Sequence, residues 1–135
     1  MIRNSCALKL RWAELGLRWC ERHLDSGRAY FAVPVRELSG RRHKVMTALS
    51  LGVGGVEFES ISISEVSFKT LNEQEIAEYC ASGEPMGKAG AYGIQGLGGA
   101  FISHLSGSYT GVMGLPVHET YRLLELANLK IRTPG

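Results

Sequence analysis

The chain has 135 residues, 44% of them hydrophobic and 21% charged, with a net charge of +2. A single domain of this size buries about two-thirds of its unfolded surface, and this composition excludes a disordered or collagen-like chain. No run of about 18 apolar residues is present to form a membrane-spanning helix, and the small net charge implies neither a nucleic-acid nor a membrane partner. Cys6, Cys20 and Cys80 form no CxxC pair, and their odd number fits a reduced, cytoplasmic setting better than a disulfide scaffold.

Two features depart from the ordinary. Glycine occurs 17 times, and of the 13 acidic residues only Asp25 is an aspartate. The charge is also uneven: residues 1–44 hold ten Lys and Arg against four acids, residues 45–135 five against nine.

In chain order, Leu8, Trp12, Leu15 and Trp19 recur at helical spacing and predict an amphipathic helix from Ser5 to about Leu24 with a basic outer face. Asp25-Ser26-Gly27 is a turn signal, and Pro34 limits any helix in the stretch that follows. Lys44 to Leu51 alternates, with Val45, Thr47, Leu49 and Leu51 on one face, and reads as a strand. Gly52, Gly54 and Gly55 form a loop. Ile61 to Thr70 is a second strand whose apolar parity switches between Ile63 and Val66, which predicts a bulge near Ser64. Asn72 and Glu75 form a capping-box pattern opening a short helix that Gly83 stops. Ten glycines then fall between Gly83 and Gly114, with a strand predicted over Ala100 to Ser106 and a turn at Gly107-Ser108. Pro116 opens a last helix whose predicted face is Val117, Tyr121, Leu124 and Ala127. Strands interleaved with helices give an α/β class, with α+β as the alternative.

The glycine-rich stretch matches no common phosphate-binding fingerprint. A dinucleotide motif opening at Gly96 would require glycine at Phe101, one opening at Gly52 would require it at Glu57, and Gly87-Lys88 lacks a following Ser or Thr. Ser106 follows His104 and is no nucleophile elbow, and His23, His43, His104 and His118 have no metal-ligand spacing. The stretch from Gly83 to Gly96 remains a loop with many conformationally permissive positions, one cation in Lys88 and one donor–acceptor amide in Gln95. Taken alone it fits either a ligand loop or a tightly packed turn region.

The run GEPMGKAGAYGIQG, then GGAF, then GSYTGVMGLP and a closing helix, preceded by LSGRRHKVMTAL, resembles the C-terminal part of the Maf family of nucleoside triphosphate pyrophosphatases. The resemblance runs from Glu37 to about Ile131. It implies a Maf/ITPase-like mixed sheet flanked by helices, and the Gln-containing word resembles the subgroup acting on dTTP and UTP. By that resemblance Gln95 and Lys88 are the substrate-binding and specificity positions, with Glu84, Gly90, Tyr92, Gly93 and Gly96 lining the pocket loop. The family reaction implies a divalent cation, magnesium or manganese, and a carboxylate that activates water.

The family's S-x-S-P-R-R loop, D-T-V-V segment and G-K-P lysine have no counterpart in residues 1–36, and Asp25 stands in no matching motif. No catalytic residue and no metal ligand is therefore assigned. The chain divides into a basic helical segment, 1–36, outside the family pattern and a Maf-like lobe, 37–135, with the N-terminal half of the family domain missing or replaced. Two functions follow: a pyrophosphatase acting on dTTP or UTP, or a catalytically impaired nucleotide-binding or interaction module. Sheet edges left uncovered by a missing half predict a homodimer or other self-association.

Overall fold

The computed structural model describes residues 6–14 and 32–129. Its elements are β1 (Cys6–Glu14), α1 (Ala32–Leu38), β2 (Arg42–Val53), β3 (Val56–Phe68), α2 (Glu73–Ala81), β4 (Ile102–Ser106), α3 (Tyr109–Met113) and α4 (Val117–Leu126). Two short 3₁₀ segments, Ala89–Ala91 and Leu97–Phe101, lie between α2 and β4. The strands form one sheet in the order β1-β2-β3-β4, and every neighbouring pair is antiparallel. The expected mixture of helices and strands is present; among the described residues every strand pair is antiparallel, not mixed, which is an α+β arrangement. The local cause is plain at Gly54-Gly55, where φ of +57° and +82° makes the two-residue turn that reverses β2 into β3.

Several sequence expectations about these elements are corrected by the structure. Residues 6–14 form a strand paired with β2 from Cys6↔Val53 to Glu14↔Val45, not the first half of a helix. The sequence there also alternates, with Leu8, Leu10 and Trp12 separated by Lys9 and Arg11, and β2 offers an edge for pairing. The remainder of the predicted helix, with Leu15 and Trp19, lies outside the described residues, as do the Asp25 turn and Cys20. Pro34 does not prevent α1, because it occupies the first turn, where a backbone N–H has no helical partner to lose. Finally, no bulge occurs at Ser64, since β2 and β3 stay in register from Arg42↔Ser67 to Val53↔Val56.

The register shift falls instead at Ser67/Phe68, against β4. The buried face of β3 is Ser62, Ser64, Val66 and Phe68, while Ile61 and Ile63 on the other face are 56% and 54% exposed. Serine is favoured on that buried face because α3 lies directly on it. Thr47 Oγ1 donates to the Gly111 carbonyl at 3.0 Å, and the Ser108 N–H donates to Ser64 Oγ at 2.9 Å. A Cβ on Gly111 would stand 2.6 Å from Ser62 Oγ, so helix and sheet approach as closely as their backbones permit.

The same sheet face carries two apolar clusters on either side of α3. Leu49 and Leu51 pack with Leu123 of α4, flanked by Leu124 and Ala127. The inner strip of α4 is thus built on Leu123, and Val117 and Tyr121, expected on the buried face, are 53% and 49% exposed. Thr120, Leu123, Leu124 and Ala127 also recur at i, i+3, i+4 and i+7, and Thr120 can join that strip because its hydroxyl is satisfied by the Pro116 carbonyl at 2.8 Å. The second cluster joins Val35 and Leu38 of α1, Val45, Val66 and Phe68 of the sheet, Ile76 and Tyr79 of α2, and Tyr92. It forms the floor of the glycine-rich loop.

Candidate functional site

The loop between α2 and β4 is anchored at its start by a well-capped helix. The Asn72 side chain accepts the Glu75 N–H at 2.8 Å and the Glu75 carboxylate accepts the Asn72 N–H at 3.0 Å, the reciprocal pair that the sequence predicted. Side chains three and four apart on α2 then deliver Ile76, Tyr79 and Cys80 to the core. Tyr79 is the link to the loop: its hydroxyl donates to Glu84 Oε1 at 2.7 Å and accepts the Gly93 N–H at 3.1 Å. Burial, with the Glu84 carboxylate beside it, pushes the Tyr79 phenol well above its ordinary value, so it stays protonated.

Gln95 stands exposed on the turn from Gly93 to Gly96, which is closed by the Gly96 N–H donating to the Gly93 carbonyl at 3.2 Å. Lys88 is half-buried and its Nζ donates to the Glu84 carbonyl at 2.8 Å. Gly90 is buried with a φ of +72°, in the left-handed region that glycine enters at little cost, and Gly93 is buried beside it while Gly96 is exposed. The structure therefore brings Gln95, Lys88, Glu84, Gly93 and Gly96 into one turn region. Tyr92, in contrast, points down into the core and serves as floor rather than rim.

Sequence reasoning gave His43 no role beside the loop. It lies on β2, with Nε2 2.6 Å from the Tyr92 hydroxyl and its ring edge-on to Phe68 and Tyr92, at centroid distances of 5.5 and 5.4 Å. Its Nδ1 is buried without a hydrogen-bond partner among the described residues. Burial lowers its pKa from 6.5 to about 4, which keeps the imidazole neutral.

An expected result follows for stability against pH. Between pH 6.5 and about 4 the unfolded chain binds a proton at His43 that the folded chain refuses. The stability this contributes is complete above pH 6.5 and is lost as pH falls toward 4. Discounted for partial exposure, the loss is about 2 kcal/mol. Urea unfolding at stepped pH should show a midpoint that falls across this window and falls less in His43→Gln; parallel curves would count against it. Glu73, Glu75 and Glu84, all held below the usual carboxylate range, add their own losses only as pH drops below 4.5.

Among the described residues no three His, Cys, Asp or Glu side chains converge to hold a metal ion. Glu84, the carboxylate in the loop, has its oxygens engaged by Tyr79 and by the Leu97 and Gly98 N–H groups. The described residues do not fit a divalent-ion site, and Asp25 lies outside them. His104 and His118 are exposed, and no helix is long and apolar enough to cross a membrane among the described residues.

A family model described as Maf-like protein matches residues 31–127, from the start of α1 to the end of α4. The chain belongs to the Maf family. A nucleoside triphosphate pyrophosphatase of Haemophilus ducreyi is 57% identical over 97 residues, covering 72% of this chain and 49% of that protein. A dTTP/UTP pyrophosphatase of Bordetella pertussis is 55% identical over 94 residues, 70% of this chain and 45% of its own length. One from a Polaromonas species is 54% identical over 97 residues, 72% and 48% of the two chains. This Maf chain therefore spans about half the length of the curated relatives it matches. Both glycine-rich words and the LSGRRH segment fall inside the matched region.

Proposed function

We propose that this chain is the nucleotide-recognising lobe of a nucleoside triphosphate pyrophosphatase acting on dTTP and UTP. The observation that carries the proposal is Gln95, an exposed donor–acceptor amide held on a turn whose ends are tied to Tyr79 and Glu84, within a chain more than half identical to dTTP/UTP pyrophosphatases over the matched region. A primary amide offers one donor pair and one acceptor, the complement of a pyrimidine edge that pairs an N–H with a carbonyl. Lys88 adds positive charge beneath the turn, toward the triphosphate. The reaction would be attack of water on the α-phosphorus, with cleavage of the bridge to the β-phosphate to give the monophosphate and pyrophosphate.

A second reading, a module that binds the nucleotide without turnover, is favoured by one observation. The Glu84 carboxylate accepts three hydrogen bonds that hold the loop, and among the described residues no other carboxylate enters the hydrogen-bond network of the turn. The family match opens at residue 31, so the segment proposed on either reading to lie outside the family pattern is 1–30 rather than 1–36, and self-association is proposed to cover the exposed Ile61 and Ile63 face.

One assay separates the readings. The purified chain is incubated with dTTP or UTP and magnesium or manganese, and pyrophosphate is measured. Release above the blank, reduced at least about tenfold in Gln95→Ala and in Lys88→Ala, is the expected result for the enzyme. Thermal stabilisation by dTTP without release, about 2.7 kcal/mol at a hundredfold excess over Kd, is the result for the binding module. Neither signal would overturn both.

A further inference from the structure

Three protein donors converge on the Glu84 carboxylate. Oε1 accepts the Tyr79 hydroxyl at 2.7 Å and the Gly98 N–H at 3.0 Å, and Oε2 accepts the Leu97 N–H at 2.8 Å. Tyr79 in turn accepts the Gly93 N–H. One carboxylate thereby ties down both ends of the turn: Gly93 through Tyr79, and Leu97 and Gly98 directly. Gln95 is the exposed residue between those ends.

The glycines of the turn are the space in which this bracing fits. A Cβ on Gly96 would run into the Glu84 carboxylate, one on Gly98 would stand 2.8 Å from the Tyr79 hydroxyl, and one on Gly93 would stand 3.0 Å from Lys88 Cε. Their spacing thus answers to Glu84, Tyr79 and Lys88 as neighbours. Partial burial works to raise the Glu84 pKa, but the Gly98 N–H, the Tyr79 hydroxyl, the Leu97 N–H and the charge of Lys88 outweigh it and hold the group below the ordinary carboxylate range. A carboxylate held in this way is a poor proton acceptor and a good fixed acceptor of hydrogen bonds.

We propose that Glu84 is a positioning residue, whose carboxylate fixes the 93–98 turn through the Leu97 and Gly98 amides and the Tyr79 hydroxyl, and thereby sets discrimination between nucleobases at Gln95 without itself touching the nucleotide. The discrimination half of this inference rests on the proposed role of Gln95. Glu84→Gln keeps the side-chain volume but turns an acceptor into a donor, so one of the three incoming donors loses its bond. Glu84→Asp keeps the charge and shortens the reach.

The test has two readouts on the full chain. In the first, amide hydrogen exchange at Leu97 and Gly98 is followed by NMR without nucleotide. Exchange is expected to quicken about tenfold in Glu84→Gln, while Glu78→Gln, on an exposed position of α2, leaves it unchanged. In the second, the ratio of dTTP to dATP dissociation constants is measured, and the preference for dTTP should shrink about tenfold in Glu84→Gln and recover in part in Glu84→Asp.

Unchanged exchange at Leu97 and Gly98 would overturn the proposal. So would faster exchange with base preference intact, because the bracing would then be structural only. If Glu84→Gln does not fold, Glu84→Asp is read by the same two measurements with the same criteria, and Tyr79→Phe, which removes one donor and leaves the charge, is read by exchange at Gly93, whose N–H the phenol accepts, and by base preference. An unmodified chain that does not distinguish dTTP from dATP removes the role of Gln95 and the selectivity half with it, while the exchange rates still decide whether Glu84 holds the turn.

Discussion

A Gly107→Ala variant is expected to lose about 3 kcal/mol of stability, because two independent costs of about 1–3 kcal/mol each fall on one position. Gly107 sits at a φ of +127°, where an L side chain is strained whatever space surrounds it. Space is lacking as well: a Cβ there would stand 2.6 Å from Ser64 Oγ, 2.8 Å from Ser64 Cβ and 2.9 Å from Ser64 Cα. The last of these is backbone in the middle of the sheet and has no rotamer by which to move aside. Gly54→Ala is the matched control, since its φ of +57° is also left-handed but nothing lies within 4 Å. Urea unfolding should therefore give a loss of about 1 kcal/mol at Gly54 and well over twice that at Gly107. Equal losses would show that backbone conformation alone matters and that the close approach to Ser64 carries no weight.

That close approach also explains what could and could not be foreseen from the sequence. Where a signal is local, sequence and structure agree: the Asn72/Glu75 capping box, the alternation of Val45, Thr47, Leu49 and Leu51, and the end of α2 before Gly83 all depend on residues a few positions apart. In β3 hydrophobicity points to the wrong face, because Ile61 and Ile63 outrank the buried Ser62 and Ser64. The buried face is instead chosen by α3, more than forty residues onward, whose Gly111 needs small polar neighbours. The strand at Cys6–Glu14 was misread for a related reason: helical and alternating periods coexist there, and the edge of β2 decides between them.

The site divides in the same way. Gln95, Lys88 and the loop glycines are legible as candidates because a contiguous family word carries them, and the structure gathers them in one turn region. Tyr92 belongs to the same word, and its ring packs under the loop against Phe68 at 4.9 Å between centroids. The structural work of Glu84 had no sequence signature, since two of its three donors are backbone N–H groups thirteen and fourteen residues away, and any residue except proline supplies one. A histidine without ligand spacing carries no local signal, and it is the strand that places His43 beside Tyr92.

Ile76→Ala should be a severe aliphatic core truncation beneath the loop. Ile76 is 1% exposed and belongs to the cluster that also holds Val66, Phe68, Tyr79 and Tyr92, so removing its side chain leaves a cavity that a sheet and two helices together resist closing. The expected loss is about 3 kcal/mol, reduced by only a few tenths because alanine is the better helix former. The effect should also reach the turn. Tyr79 follows Ile76 by one helical turn on the same face of α2, and its hydroxyl must remain within reach of both Glu84 and Gly93. Exchange of the Gly93 amide is therefore expected to quicken in Ile76→Ala by more than the global loss of stability accounts for at temperatures where the chain is still folded. The comparison is Ile63→Ala, which removes the same side chain from the exposed face of the sheet and should cost under about 1 kcal/mol with no change at Gly93. A cost at Ile63 equal to that at Ile76 would mean that the second face of the sheet is as well covered as the first, and that the floor of the loop is not the principal core of this chain.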